Sequence, residues 1–383
     1  MASLIGAFPN INPSGFFKAG RRFDPILCRE NVFLYSSGRA ALYRAIRAAR
    51  LPEKSRILVP SFHCGVEVEA AKRAGHPLSF YGIKKNLEID FEDAQNRIDP
   101  AAGALIVTHY FGFPQNLEKV LDFCGRHKLL LFEDCAHALY SSINGRWLGT
   151  AGDFGVYSLR KTMGLPNGGA LLCNTRELAR PEEGEKSTDF PLLKQTLKSM
   201  LMGAAGKRSL AGGVSREMLR FIAKSPGRPE PNASLTLTDS LPSYYDVRDR
   251  DFDTAISGLS DFLLRKEDYR DIIGRRRENF RRLGDKLEDS PYFFPPMAGL
   301  EKGVCPLCYV VQVDNRAEIA ARMRRRGVNP FIFGVSPHPL MPRPIHPDWE
   351  FLSQRLLGLP VHQALGLEDM DVVIDEFFRS GRP

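Results

Sequence analysis

The chain has 383 residues, of which 43% are hydrophobic and 26% charged, a balance typical of a globular protein. This length exceeds what one small core requires, so we expect two domains. No apolar run is long enough to span a membrane. Pro9, Asn10 and Pro13 interrupt the N-terminal stretch where a secretory signal would be apolar, so we expect a cytoplasmic protein.

The net charge of +8 allows two interpretations, a solvated basic face or attraction to an anionic substrate or membrane surface. No nucleic-acid-binding motif accompanies the charge, so we expect no nucleic-acid partner. The seven cysteines are odd in number and scattered, which favours reduced thiols. Cys305 and Cys308 form a lone C-x-x-C without a second ligand pair for zinc. We interpret them as small apolar residues that enter a strand, and we expect no metal site.

Residues 1–32 form an irregular N-terminal arm in this interpretation, and a large cofactor-binding domain follows over residues 33–250. Helical and extended patterns alternate along it. We predict helices over 37–49, 66–74 and 117–127, and strands over 56–59, 78–81, 104–108, 129–132, 155–158 and 170–173. The alternation predicts an α/β fold with a mainly parallel sheet covered by helices.

Residues 180–245 are predicted to be a helical insertion in this domain. Over residues 192–224 the pattern predicts two basic amphipathic helices that pack as a surface or lid. The alternative is that residues 190–225 dock on a partner or an anionic membrane surface.

A smaller C-terminal α/β domain is predicted over residues 251–383. It begins with one long helix over 252–287, whose Arg275, Arg276 and Arg277 we interpret as solvated charge. The remaining predicted elements are a strand over 309–313, a helix over 317–326, a Pro- and His-rich loop over 334–347 and a helix over 368–378.

The segment from Leu129 to Gly169 carries the most specific chemistry. Asp134 ends a buried strand, and Lys161 stands three residues after Ser158, ahead of a glycine pair. In parallel sheets, ligands bind beyond the carboxyl ends of the strands, where these residues would meet. Pyridoxal 5′-phosphate needs a lysine for its Schiff base, an acid facing the pyridine nitrogen and donors for the phosphate. We therefore predict Lys161 and Asp134 as the catalytic pair.

Phosphate donors are predicted at a helix N-terminus. Ser37, Gly38 and Arg39 precede the first helix, where backbone N–H groups are exposed and Arg39 adds positive charge. Ser158 is a second hydroxyl candidate. An ordinary N-cap is the alternative for Ser37.

Three further residues follow strand ends and are predicted to touch the cofactor. His63 and Cys64 are placed to cover the ring face, and His137 to reach the ring oxygen or a substrate. For each of them, a packed polar side chain without a role in the chemistry remains the alternative.

An ordered series of motifs resembles the DegT/DnrJ/StrS family of fold-type I pyridoxal-phosphate-dependent aminotransferases. Residues 37–42 (SGRAAL) are similar to the family's S-G-T-A-A-L, residues 59–62 (VPSF) to V-P-S-F, and residues 133–137 (EDCAH) to E-D-A-A-Q. Residues 359–362 (LPVH) with 368–373 (EDMDVV) resemble L-P-L-H and E-D-V-D-x-V. In the usual family pattern the lysine stands five residues after the serine, whereas Lys161 stands three after Ser158.

The resemblance implies an aminotransferase that moves an amino group from an amino-acid donor to a keto acceptor, expected to be a keto-sugar nucleotide. It also implies a homodimer with a shared active site, with residues 244–248 the expected cross-subunit element. Two alternatives stay open: a pyridoxal-phosphate enzyme that acts on an amino acid by elimination, decarboxylation or condensation, and a non-catalytic protein of the same fold.

Overall fold

The computed structural model describes residues 5–11, 24–175, 181–185, 196–197, 199–201, 250–297 and 299–381. The strands are β1 (Val32–Tyr35), β2 (Arg56–Pro60), β3 (Leu78–Tyr81), β4 (Ala102–Thr108), β5 (Leu130–Asp134), β6 (Ser142–Ile143), β7 (Arg146–Trp147), β8 (Phe154–Ser158), β9 (Gly169–Cys173), β10 (Cys308–Gln312) and β11 (Leu356–Pro360). The helices are α1 (Gly38–Ala48), α2 (Val66–Arg73), α3 (Phe91–Asn96), α4 (Leu117–His127), α5 (Leu159–Thr162), α6 (Arg250–Asp253), α7 (Gly258–Leu264), α8 (Tyr269–Leu287), α9 (Arg316–Arg325), α10 (Trp349–Arg355) and α11 (Leu367–Gly381).

A seven-stranded sheet in the order β1-β9-β8-β5-β4-β2-β3 organises the larger part of the molecule. The pairs of β2 with β3 and β4, of β4 with β5, and of β5 with β8 are parallel. Only β9 runs against its two neighbours in this sheet. The predicted α/β fold with a mainly parallel sheet is confirmed, because the apolar runs between helical segments are buried on both faces.

Helices cover both faces of the sheet. Ile57 and Val59 of β2 point to the side of α1 and α2, whereas Leu58 points to the side of α4. Because alternate side chains of β2 point to opposite faces of the sheet, this one strand contributes to two separate hydrophobic cores. On α1, Ala40, Ala41 and Ala45 are fully buried, and their small side chains let this helix lie close to β8 and β9.

The C-terminal part has its own antiparallel pair, β10 and β11, covered by α8, α9 and α11. The predicted long helix over 252–287 is wrong, because three helices, α6, α7 and α8, occupy that stretch. Ser257 accepts a hydrogen bond from the Ser260 N–H, and Asp268 accepts one from the Arg270 N–H. Each of these side chains caps a new helix N-terminus. The division of the chain into domains at residue 250 stays a prediction.

Most residues of the predicted insertion, and the whole of 244–248, lie outside the described residues. Residues 196–197 and 199–201 are helical, and the Ser199 hydroxyl accepts a hydrogen bond from Ile11 N–H at 3.0 Å. Within the described part of the chain, no helix combines the length and apolar character needed to cross a bilayer. Cys305 and Cys308 are buried free thiols, and Cys308 opens β10, as the sequence predicts.

Candidate active site

The carboxyl ends of β5 and β8 bring the predicted catalytic residues together. Asp134 is the last residue of β5, and the chain passes directly from β8 into the short helix α5 that carries Lys161. Lys161 lies close enough to Asp134, Cys64 and His137 to act electrostatically on each of them. The structure thus groups three of the predicted residues, Asp134, Cys64 and His137, around Lys161.

A second carboxyl group accompanies Asp134, and sequence reasoning missed it. Glu67, the second residue of α2, is 1% exposed, and Asp134 is 6% exposed. A side-chain hydrogen bond joins the two groups. Burial, followed by the charge of Asp134, raises the pKa of Glu67 to about 7. Burial also raises the pKa of Asp134, against the lowering effects of the Ala136 N–H and Lys161.

The turn that brings Glu67 into the pocket depends on a glycine. Gly65 adopts a φ of 87° immediately before α2, a left-handed conformation that favours glycine. Across this bend the Cys64 thiol donates to Glu67 Oε2 at 3.4 Å. The thiol itself stays protonated, since burial raises its pKa well above the ordinary value.

The predicted phosphate donors form a tight backbone cradle. Ser37 caps α1, and its hydroxyl oxygen accepts a hydrogen bond from Ala40 N–H at 3.2 Å. A Cβ added at Gly169 would lie 2.1 Å from the Ser37 carbonyl carbon, and one added at Gly38 would lie 3.4 Å from the Ser158 Cβ. Ser158 therefore lies beside the N-terminus of α1, whose N–H groups are suited to an anion.

Hydrogen bonds from residues in the C-terminal part of the chain hold the turn that carries Lys161. Arg276 on α8 is 1% exposed, so its interpretation as solvated charge is wrong. Its Nη2 donates to the Thr162 carbonyl at 3.0 Å, and its Nε donates to Gln363 Oε1 at 3.0 Å. Gln363 Nε2 in turn donates to the same Thr162 carbonyl at 2.8 Å.

His137 lies in an aromatic cluster at the edge of the pocket. Its ring stacks on Phe111 with centroids 5.6 Å apart and meets Phe333 edge-on at 4.7 Å. Burial and the positive charge of Lys161 hold the pKa of His137 well below its usual range. The imidazole is therefore neutral, and it keeps one ring nitrogen as an acceptor and one as a donor.

His63 has different neighbours from the other predicted residues. Its ring packs against Phe80 at 5.8 Å and His338 at 6.4 Å rather than beside Lys161. Burial and then the nearby His338 lower the pKa of His63 to about 3. Neither ring nitrogen has a hydrogen-bond partner among the described residues. A role for His63 at the ring face stays a prediction.

Glu133, next to Asp134 in β5, has a structural role. Its carboxylate accepts hydrogen bonds from the N–H groups of Gly149, Ala151 and Gly152 at 2.7–2.9 Å. His109 Nε2 completes the set at 3.1 Å. His109, Glu133 and Cys135 are close enough to suit a metal ion, but these hydrogen bonds already satisfy the carboxylate.

Two features of the sequence point to Glu67 and Arg276, the site residues that the sequence analysis missed. Glu67 and Glu69 fall among apolar residues of α2, an unusual place for a carboxylate near a predicted pocket. Arg276 is central in an Arg triplet, and the helical period turns the three side chains in different directions, so they cannot all be solvated alike.

The chain is similar in sequence to known aminotransferases. Residues 21–187 match the model of the DegT/DnrJ/EryC1/StrS aminotransferase family. The chain is 26% identical over 366 residues to the dTDP-4-dehydro-2,3,6-trideoxy-D-glucose 4-aminotransferase of Saccharopolyspora spinosa, covering 91% of this chain and 84% of that protein. It is 29% identical over 156 residues to the GDP-perosamine synthase of Vibrio cholerae, a match that spans 42% of that protein.

Solved structures share the fold. An aminotransferase of Helicobacter pylori, PseC, involved in the biosynthesis of pseudoaminic acid, superposes with a TM-score of 0.67 at 14% identity, covering 99% of each chain. A DegT DnrJ EryC1 StrS aminotransferase of Brucella abortus superposes with a TM-score of 0.61 at 18% identity, covering 92% of this chain and 86% of that one. These likenesses confirm the predicted fold of the fold-type I transferases.

Proposed function

The chain belongs to the DegT/DnrJ/EryC1/StrS aminotransferase family, and from that premise we propose that it moves an amino group from an amino-acid donor to the keto group of a sugar nucleotide. One observation carries the proposal: Lys161 and Asp134 lie within electrostatic range of each other at the carboxyl edge of the sheet. Ser158 brings the α1 N-terminus to the same edge. The three requirements of pyridoxal 5′-phosphate are met by neighbouring elements.

The donor set fits this cofactor. Asp134 offers an acidic group for a ring nitrogen, and the first turn of α1 offers backbone N–H groups and the Ser37 hydroxyl for a phosphate. Ser61, at the end of β2, is 3% exposed, and its hydroxyl has no hydrogen-bond partner among the described residues. A buried polar atom without a partner is costly unless a ligand satisfies it.

When bound, the cofactor supplies an electron-withdrawing ring that stabilises negative charge on the carbon next to the transferred nitrogen. The residues of this chain have three tasks around it. The Lys161 amine holds the cofactor and, once released, moves a proton between two carbons. The Asp134 carboxylate keeps the ring nitrogen protonated. The Nδ1 of the neutral His137 accepts from the Phe111 N–H at 3.4 Å, so its Nε2 donates one hydrogen bond at the ring edge or to a substrate.

The proposed acceptor rests on relatives and on charge. The proteins from Saccharopolyspora spinosa and Vibrio cholerae are named for nucleotide-linked sugars. The net charge of +8 suits a diphosphate-bearing substrate. We also propose a homodimer, in which residues 244–248 of one subunit complete the other subunit's pocket.

The deciding experiment separates the two half-reactions. The full chain is loaded with pyridoxal 5′-phosphate and mixed with glutamate, glutamine and other amino acids one at a time. Loss of the visible band of the lysine-bound cofactor identifies the donor. Keto-sugar nucleotides linked to dTDP, GDP and UDP are then added to the aminated form. Return of the band with one of them supports the proposal. Release of ammonia or CO₂, with return of the band before any keto acceptor is added, favours elimination or decarboxylation instead.

A further inference from the structure

Glu67 and Asp134 form a buried acidic pair in the proposed cofactor site. Both side chains are buried, and they come from different elements, α2 and β5, so folding alone brings them together. Two ionised carboxylates this close repel each other strongly in a low-dielectric site. A pair of this kind holds one proton in common over a wide pH range.

We propose that Glu67 is a positioning residue whose protonated carboxyl donates a hydrogen bond to the Asp134 carboxylate. The inference rests on the proposed role of Asp134 toward the cofactor and adds a second residue to it. With one proton on the pair, the pocket presents one negative charge, on the carboxylate that faces the ring nitrogen. The hydrogen bond also fixes the orientation of that carboxylate.

The hydrogen bonds around the pair agree with this assignment. Asp134 Oδ1 accepts from Ala136 N–H at 2.9 Å, and Glu67 Oε2 accepts from the Cys64 thiol at 3.4 Å. Glu67 Oε1 can then carry the proton toward Asp134. A protonated carboxyl keeps one oxygen as an acceptor while the other donates. Glu67 thus satisfies the thiol and Asp134 at the same time.

Other charged or titratable groups face the pair from several elements. Lys161 on α5 is the nearby cation, and it favours ionisation of both carboxyls. His109 lies beyond β4 and acts on Asp134 in the same direction. Three further neighbours are the Cys64 thiol and the phenols of Tyr81 and Tyr110, whose pKa values burial raises, so they stay neutral.

The pH dependence has a definite sign. Burial and the neighbouring charge raise the pKa of Glu67 from 4.5 to about 7, so the fold favours the protonated form. The folded state then holds more protons than the unfolded state between these two values. The stability contributed by this proton is complete at low pH and is lost as the pH rises toward 7.

Infrared difference spectra of the cofactor-free full chain, labelled with ¹³C at the glutamate carboxyls, test the proton directly. Wild type should lose the labelled C=O stretch of a protonated acid between pH 6 and pH 8. Glu67→Gln should lack this change, and Glu69→Gln, two residues along the same helix, should keep it. In Asp134→Asn the change should move to lower pH, since the like charge is gone. Identical spectra for wild type and Glu67→Gln would overturn the proposal.

Equilibrium dialysis with pyridoxal 5′-phosphate tests the positioning role. Glu67→Gln keeps a neutral donor and should bind the cofactor within about threefold of wild type, whereas Glu67→Leu should bind about tenfold more weakly because one hydrogen bond to a charged group is lost. Equal affinity for all three proteins contradicts the positioning role. If the infrared and dialysis results hold but no amino donor reacts, the proposed function fails and the proton on Glu67 stands.

Discussion

Arg276 Nη2 lies 3.0 Å from the carbonyl oxygen of Thr162, the residue that follows Lys161. The Nη1 of the same guanidinium donates to the carbonyls of Pro306 and Leu307 at 3.1 and 3.2 Å. Among the described residues Arg276 forms no ion pair, so backbone carbonyls and Gln363 take the place of a carboxylate. One buried cation therefore ties the lysine turn to α8 and to the entry of β10.

Arg276→Met should destabilise the fold by about 3 kcal/mol, because the carbonyls of Pro306 and Leu307 would be buried without this donor and the Thr162 carbonyl would keep only Gln363. Chemical denaturation of the cofactor-free protein measures this change. The matched control is Arg275→Met. Arg275 is half-exposed and pairs with Glu278 at 3.7 Å, an interaction worth about 1 kcal/mol at most. Equal losses in the two variants would contradict the anchoring role of Arg276.

Lys161→Ala should abolish covalent attachment of the cofactor while leaving the fold intact. Lys161 is the only lysine between Lys128 and Lys186, so no neighbour in sequence can replace it. Borohydride reduction followed by peptide mass spectrometry locates the attachment point in wild type. The visible absorbance of the variant then measures what remains. Attachment at another lysine, with full activity in Lys161→Ala, would refute the assignment.

Asp134→Asn should still bind the cofactor but lose turnover by orders of magnitude. An amide cannot hold a proton on the ring nitrogen by charge, so the ring loses its electron-withdrawing strength. Asp153→Asn is the matched control. Asp153 accepts hydrogen bonds from Leu131 N–H at 2.8 Å and Thr175 Oγ1 at 3.0 Å, away from the lysine. Stopped-flow measurement of the donor half-reaction compares them, and a rate for Asp134→Asn within a few-fold of wild type would mark Asp134 as structural.

His63→Leu should make the protein less sensitive to acid. The pKa of His63 is lowered to about 3 in the fold, whereas an unfolded histidine titrates near 6.5, so the unfolded state binds more protons between these values. Stability is therefore lost as the pH falls below 6.5, by about 2 kcal/mol at pH 5. Denaturation midpoints at pH 5 and 7 check this against His127→Leu, since His127 lies at the surface. Stability rises with pH through the effect of His63 and falls with pH through the effect of Glu67. Plots of the stability difference between wild type and each variant against pH therefore separate the two effects. An unchanged acid sensitivity in His63→Leu would show that the buried ring is not the cause.

The sequence predicts the fold well where local pattern and burial agree. The helix over 117–127 and the strand over 78–81 are confirmed at the predicted residues, because their apolar spacing matches the faces they bury. β1 and β11 were missed. β1 is four residues long and follows the arm, and β11 contains Gly358, which packs against the Cys308 side chain. Both strands are defined by their partners rather than by their own pattern.

Some residues of the candidate site were likewise predicted from the sequence, and others were missed. Lys161, Asp134 and the Ser37 cap could be predicted because each has a signal on its own element: a strand end, a glycine pair or a helix N-terminus. Glu67 and Arg276 were missed, since their sequence signals are indirect and their roles depend on contacts with residues more than 60 positions away in the chain. Their burial follows from tertiary packing, and the local pattern does not identify the partners they contact.

The last prediction concerns the proposed homodimer, whose cross-subunit element, residues 244–248, lies outside the described residues. Variants of two residues decide whether Arg248 acts in its own subunit or in the partner's pocket. Lys161→Ala and Arg248→Ala are each expected to be inactive as pure proteins.

If Arg248 crosses the interface, a heterodimer of the two variants carries both lesions in one pocket and leaves the other pocket intact. Co-refolded in equal amounts, they should then recover about a quarter of wild-type activity, because random pairing makes half of the dimers mixed and each has one working site. If Arg248 serves its own subunit, every pocket of the mixture carries one lesion and no activity returns. Light scattering of the wild type at assay concentration accompanies the experiment, and a fully active monomer would refute the dimer itself.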